Sequence, residues 1–365
     1  MSYLIYPTTY RQVSTISLLK EYFPSKSCIP VVDKAYFFNC DTIKSDVSIL
    51  DNRFAIGVPA TDKFSLDDNL EKVCITQNIY DINILAKINN FANNTKKIID
   101  CTYCDDINTI PSLKERLEIQ NKNHNISDFD YFEGCLSSNQ KASLFDINIP
   151  IIGIGGLIGF CNQSEIATKL SLELSKNNIS TKAIVTEKTH CLLNSIAIPD
   201  EVFSNKISFL EKVVLLNHYI KFITIKYGCE ALVVEIPGGL MKFSNQILND
   251  IGQYAYLFVE AMPISNFVLC VPSNRYNYNF YKNISLRMDS KFEWNTIGIH
   301  MSNAHVDYAS IKRNSPNYLL FRNMNSLYNY TIEILNSANN DNIIIESLAV
   351  ENSFNLLIEK ILDIL

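Results

Sequence analysis

The sequence predicts an α/β protein of two domains, each a parallel sheet covered by helices. Three observations predict it. At 365 residues the chain is longer than one ordinary hydrophobic core supports. Apolar, β-branched runs alternate with runs of helical period along the chain, the order that builds parallel sheets. One stretch, residues 149–170 (IPIIGIGGLIGFCNQSEIATKL), reads as an apolar strand, a glycine-rich turn and the opening of a helix. In that layout backbone N–H groups and a helix N-terminus face an anion.

Composition narrows the class. With 47% hydrophobic and 19% charged residues the chain has enough apolar side chains to fold and too few charges to be disordered. Its net charge of -6, with no block of Lys and Arg, argues against nucleic acid as a partner. The start, MSYLIYPTTYRQ, lacks the charged and apolar regions of a signal peptide. The most apolar long run, 213–225, is broken by Asn217, His218 and Lys221, so no membrane span is expected. A cytoplasmic protein is the expectation, and its ten scattered cysteines should then be reduced and buried.

In the N-terminal third, residues 3–7 (YLIYP) read as a strand, with Thr8 and Thr9 as a cap for the helix that follows. Val13, Ile16, Leu18, Leu19 and Phe23 recur at helical spacing over 12–23. Strands are expected at 28–32, 72–75 and 97–101, and a helix at 82–91. No glycine fingerprint follows the first strand, so residues 1–125 read as a Rossmann-like domain without cofactor chemistry. Cys101 and Cys104 form a lone CxxC at a strand end, where no helix dipole would activate a thiolate. They read as structural cysteines. Residues 126–148, polar and interrupted by Gly134, read as a linker.

Residues 149–365 read as the second domain. Strands are expected at 149–153, 181–186, 231–236, 266–271, 296–301 and 342–345, with a further short one at 319–321. Helices are expected at 165–176, 209–227, 245–261, 280–288, from 327 and at 354–365. This is a doubly wound sheet, whose ligands sit beyond the carboxyl ends of the strands. The glycine loop, Glu187, Glu235 and Asn303 all fall at such ends.

The loop carries Gly153, Gly155, Gly156 and Gly159, then enters its helix through Gln163 and Ser164. A phosphate-binding loop normally ends Gly-Lys-Ser/Thr, with the Lys on the outer phosphates and the hydroxyl on Mg²⁺. Gln163 stands where the Lys belongs, which makes this a P-loop-like domain with a degenerate phosphate loop. Three readings stay open. The loop could bind a nucleotide or other anion without efficient hydrolysis, or make a dinucleotide turn with Glu187 on the ribose. It could also be a packing turn, since glycine lets a strand and a helix approach closely. Glu235, followed by Pro237, Gly238 and Gly239, stands where a carboxylate holds nucleotide-bound Mg²⁺. It competes with an ordinary strand-end acid. His218 reads as a buried structural histidine, and His300, His305 and Asp307 lack the spacing of a metal site. Tyr276, Tyr278 and Tyr281 suit either peptide contact or packing.

The run VVEIPGG (233–239) downstream of a glycine loop resembles the dethiobiotin-synthetase branch of P-loop proteins. That resemblance places Glu235, Gly238 and Gly239 in an active-site turn and Asn303 against a base. The strings FCNQSEIATKL (160–170), LLNHYIKF (215–222) and VVEIPGG resemble a clostridial family of peptide maturation system proteins. Members of that family are encoded beside a radical SAM maturase and a short Cys-rich precursor. What the resemblance implies is an accessory role in maturing a ribosomally synthesised peptide, of the bacteriocin kind, with the precursor peptide or the maturase as partner. Related sequences carry a Lys near Gln163, which implies that nucleotide turnover is lost here. The cofactor expectation is Mg-ATP or Mg-GTP, or none, and homodimerisation is a further expectation. The alternative is an ATP- or GTP-dependent ligase-like enzyme acting on the peptide or a small carboxylate.

Overall fold

A computed structural model describes residues 2–6, 10–25, 27–30, 66, 70, 72–75, 84, 86–88, 90, 98–100, 143–274, 276–313, 318–337, 343–350 and 352–365. Thr8, Thr9, Cys101, Cys104 and residues 126–142 of the expected linker lie outside them. The chain divides into two compact units, 1–137 with 187–193, and 138–186 with 194–365. The segment 187–193, which the sequence puts in the second domain, therefore belongs to the first.

The first unit is a four-stranded sheet in the order β2-β1-β3-β4, built from β1 (Ser2–Tyr6), β2 (Ser27–Pro30), β3 (Lys72–Ile75) and β4 (Ile98–Asp100). Every pairing is parallel. Helix α1 (Tyr10–Tyr22) connects the first two strands, and of the expected helix at 82–91 the described residues 84, 86–88 and 90 are helical. Ile5, Val13, Ile16, Leu18, Leu19, Cys74 and Leu193 form its core. Leu193 comes from a 3-10 helix, Lys188–Leu193, whose Thr189 hydroxyl bonds that of Thr15 at 2.8 Å while His190 Nε2 meets Ser14 Oγ at 3.0 Å.

His190 is fully buried, and burial pushes its pKa from 6.5 down to about 3. The unfolded chain therefore takes up a proton near pH 6.5 that the folded ring refuses. Stability from this group is intact above that pH and is lost as pH falls toward about 3, at about 1.4 kcal/mol per pH unit. Urea unfolding of the wild type and of His190→Gln across this range should show the acid loss in the wild type and a flatter profile in the variant. Identical profiles would remove His190 as the cause.

The second unit carries a seven-stranded sheet. Its strands are β5 (Ile151–Gly156), β6 (Thr181–Val185), β7 (Ile196–Ala197), β8 (Ala231–Gly239), β9 (Ile264–Val271), β10 (Asn295–Met301) and, after a small hairpin, β13 (Ile344–Glu346). The order across the sheet is β13-β10-β9-β5-β8-β6-β7, and all pairings are parallel. The chain starts at β5 in the centre, crosses to β6 and β7, returns to insert β8 between β5 and β6, then reverses to build β9, β10 and β13 on the other side. That reversal at β5 is the switch point where open α/β sheets take ligands.

Helices α2 (Gln163–Lys176), α3 (Phe209–Tyr227), α4 (Gln253–Ala261), α5 (Tyr278–Phe292), α6 (Tyr308–Lys312), α7 (Met324–Ser337) and α8 (Ser353–Leu362) accompany the sheet. α3 begins in a capping box, Ser208 with Glu211, and ends at Gly228 with φ 56°, so both termini are satisfied locally. Ile166, Ala167, Leu170 and Leu174 of α2 pack with Ile152, Ile154, Val233 and Val268 of the sheet. The expected helix at 245–261 begins later: Asn249–Gly252 is a 3-10 turn, with Ile251 at φ 59° and Gly252 at φ 76°, and only then does α4 start. Strand β12 (Leu319–Phe321) pairs antiparallel with β11 (Ala304–Val306), a hairpin partner with no signal of its own in the sequence.

The described end of the expected linker is part of this unit. Phe145 gives its N–H to Asn217 Oδ1 at 2.7 Å and accepts Asn217 Nδ2 at 3.1 Å, while Lys221 reaches the Asp146 carbonyl at 2.7 Å. His218 meets the Ser143 carbonyl at 2.8 Å and the Phe145 ring at 4.4 Å. Three polar residues of α3 thus pin an extended segment to the helix. Tyr278 and Tyr281 are buried as core residues of α5, and Tyr276 stacks on Phe280 at 4.1 Å.

Candidate functional site

The carboxyl edge of the sheet at β5 and β8 holds the candidate site. β5 runs on to Gly156, three residues beyond the expected end, so Gly153, Gly155 and Gly156 are strand residues and the loop proper is 157–162. Gly153 and Gly155 make room for the Phe267 ring: a Cβ on either would lie 2.9 or 2.7 Å from it. Their role is close packing within the sheet, against the neighbouring strand β9 rather than between a strand and a helix. β8 likewise continues through Pro237 and Gly238 to Gly239. Gly155 pairs with Ile236 but Gly156 with Gly239, so Pro237 and Gly238 bulge out beside the loop. Gly238, at φ 69°, lies under Gly159, whose Cβ position is 3.5 Å from the Gly238 Cα.

The loop is tied at both ends. Leu157 gives its N–H to the Cys270 carbonyl at 2.8 Å, and its own carbonyl accepts Asn249 Nδ2 at 3.0 Å. Asn249 packs against Gly239, where a Cβ would meet it at 2.5 Å. Asn162 takes φ 64° at the start of α2, and its Nδ2 donates to Glu165 Oε2 at 2.6 Å. Burial raises the Glu165 pKa. Burial also pushes the Cys161 thiol up to about 12, and that of Cys270 up as well. Burial thus favours the neutral thiol at both.

Gln163 turns back into the loop. Its Oε1 accepts the Cys161 N–H at 2.9 Å, and its Nε2 donates to the carbonyls of Ile158 at 3.1 Å and Gly238 at 3.2 Å. The side chain is 4% exposed and fills the space above Gly156, where a Cβ would be 2.1 Å from Nε2. A neutral amide thus bridges the loop and the β8 bulge.

One residue along, the hydroxyl of Ser164 donates to Glu235 Oε2 at 2.6 Å. Glu235, buried at 5% exposure in the middle of β8, also accepts the Thr186 N–H and Thr186 hydroxyl, both at 2.7 Å. The two hydroxyls lie 3.4 Å apart. Two strands, β6 and β8, and the start of α2 therefore meet on one carboxylate. Its donor set, two hydroxyls and a carboxylate, is the hard oxygen chemistry that Mg²⁺ prefers, with remaining positions left for water and phosphate. Among the described residues no three His, Cys, Asp or Glu side chains gather as a metal cage. Mg²⁺ does not need one. The oxygens of Ser164, Thr186 and Glu235 would fit a Mg²⁺ ion, while the place of an ordinary phosphate loop's cation is taken by the neutral Gln163.

The remaining expected residues are dispersed. Asn303, 9% exposed, sits in the turn after β10 and its carbonyl accepts the Arg322 N–H at 2.8 Å. Glu187 lies in the first unit, where Oε1 accepts the Thr189 hydroxyl at 2.9 Å and Gln12 Nε2 at 3.3 Å. His300 and His305 take different partners: His305 Nδ1 meets Arg322 Nη2 at 3.1 Å, and His300 Nδ1 pairs with Glu346. Thr186, Asn249 and the His300–Glu346 pair escaped the sequence reading. Thr186 carried one signal, a hydroxyl at a strand's carboxyl end.

No protein-family model matches the sequence, and no curated protein matches it either. Among solved structures, a DUF1611 family protein from Anabaena variabilis shares the fold over 99% of both chains, with a TM-score of 0.55 and 10% identity. Lower TM-scores, 0.31 and 0.30, relate the chain to the hydrogenase maturation factor HypB from Archaeoglobus fulgidus and the cell division protein MinD from Aquifex aeolicus. Each is 12% identical; the overlaps cover 59% and 57% of this chain and 90% and 86% of those proteins. The first likeness is one of fold. Among the described residues no helix is long and apolar enough to cross a membrane.

Proposed function

We propose that the second unit binds a nucleoside phosphate with Mg²⁺ at Glu235, Ser164 and Thr186 and turns it over poorly or not at all. The protein then serves as an accessory in maturing a ribosomally synthesised peptide, holding the precursor or its maturase on this degenerate nucleotide-binding scaffold. The observation that carries the nucleotide half is the buried Glu235 carboxylate, gripped by the hydroxyl that opens α2 and by both donors of Thr186. Support for the peptide half is the sequence resemblance through FCNQSEIATKL, LLNHYIKF and VVEIPGG.

Bound Mg²⁺ would neutralise phosphate charge. The protein's own part is to orient: Glu235 fixes the Ser164 hydroxyl, and the N-terminus of α2 faces the anion. The ligase-like alternative needs a cation on the outer phosphate, and the neutral amide of Gln163 at that place favours the accessory reading.

Calorimetric titration with Mg-ATP and Mg-GTP, repeated in EDTA, tests the nucleotide half. Saturable, Mg-dependent binding at micromolar to sub-millimolar concentration is expected. No heat up to about millimolar nucleotide, a binding energy weaker than about 4 kcal/mol, would reject it. Fluorescence anisotropy with a labelled precursor peptide tests the peptide half separately.

A further inference from the structure

The direction in which Gln163 points bears on which phosphate ligand the loop accepts. In an ordinary phosphate loop the residue at this place is a Lys that reaches the outermost phosphates. Here the side chain folds inward, and its acceptor oxygen takes the Cys161 N–H at 2.9 Å. A donor of the cradle is thereby turned from any anion toward an amide, and a lone-pair-bearing oxygen is held in the cradle. The amide nitrogen is also committed, to Ile158 and to Gly238 across the mouth of the loop. Nothing comparable has changed at the metal end, where Ser164, Thr186 and Glu235 keep the oxygen set intact.

We propose that Gln163 makes this loop selective for nucleoside diphosphates over triphosphates. The proposal rests on the nucleotide reading of the site and names its ligand class. Charge supplies the reason. Replacing Lys by Gln removes one positive charge from the cradle, leaving Mg²⁺ and about half a charge at the N-terminus of α2. Dropping the outer phosphate removes about one negative charge from the ligand, which restores the balance. Space points the same way. The Gln163 amide closes the loop onto the β8 bulge, and a third phosphate that took the place it has in an ordinary loop would break the contacts to Ile158, Cys161 and Gly238.

The test is calorimetry of the full chain with Mg-ADP, Mg-ATP, Mg-GDP and Mg-GTP, on the wild type, Gln163→Lys and Gln163→Met. For the base that binds, the wild type should prefer diphosphate by about tenfold or more. Gln163→Lys should shift that ratio toward triphosphate by at least about tenfold, and Gln163→Met, which adds no charge, should not make this shift. Thermal melts check that each variant is folded. If Gln163→Lys does not fold, the wild-type ratio decides alone. Triphosphate binding as tight as diphosphate in the wild type overturns the proposal and leaves the nucleotide reading standing. So does a ratio unmoved by Gln163→Lys. Absence of binding by all four nucleotides removes the nucleotide reading, and the proposal with it.

Discussion

His300→Ala should destabilise the second unit by about 3–5 kcal/mol, because it leaves the Glu346 carboxylate buried without its partner. Both side chains are fully buried, and they face each other across the parallel pairing of β10 with β13. His300 Nε2 and Glu346 Oε2 have no hydrogen-bond partner among the described residues. The Nδ1 contact is therefore the main compensation for taking a carboxylate and an imidazole out of water. For a unit of this size the melting temperature should fall on the order of 10 °C. His300→Leu combined with Glu346→Leu removes both polar groups and should recover a large part of the loss. Thermal and urea unfolding of the single and double variants decide it. A single-variant loss below about 1 kcal/mol, or a double variant worse than the single, would mean that the pair is not what holds this edge.

Glu235→Gln should weaken Mg-dependent nucleotide binding by at least about 100-fold, since in the proposed site it removes the carboxylate that would ligate the metal. The fold should survive. Gln can still accept from Ser164 or Thr186 on one oxygen, but its NH₂ would face a donor, at a cost of about 1–3 kcal/mol. A melting curve separates that cost from the binding loss. Affinity unchanged in a folded Glu235→Gln protein would place the metal elsewhere or remove it. Ser164→Ala provides a graded comparison, because it deletes a neutral oxygen and keeps the charge. Its effect on Mg-dependent affinity should be smaller than that of Glu235→Gln.

Much of the molecule is legible in its sequence, for a local reason. Helix α3 begins at Phe209 and ends at Tyr227 as its apolar spacing predicts, with Ser208 and Gly228 as chemical signals at either end. The apolar runs around Ile152, Ile184, Val233, Leu269 and Ile299 became adjacent parallel strands. Glu235 at an expected strand end, Ser164 at a helix start and the missing Lys at Gln163 were visible for the same reason, since each is a residue type read against its neighbours.

What the sequence could not decide depended on which strands pair. Glycines at 153, 155 and 156 look like a turn until Phe267 of the adjacent strand and Gln163 of the following helix fill the space a Cβ would take. Thr186 becomes part of the site because β8 inserts between β5 and β6, bringing Glu235 to its N–H and hydroxyl. Glu187, the next residue, leaves with the first unit. His300 and Glu346 are 46 residues apart and meet through the pairing of β10 with β13. By itself the sequence determined the fold class, the longer strands and helices in their order and the residue types at the strand ends, because periodicity, capping and turn chemistry act over a few residues; the short β7, β11 and α6 carried no such signal. Tertiary structure alone decided that Gln163 reaches Gly238, which side chains share Glu235 and what the glycines accommodate, because those follow from strand order, a property of contacts distant along the chain.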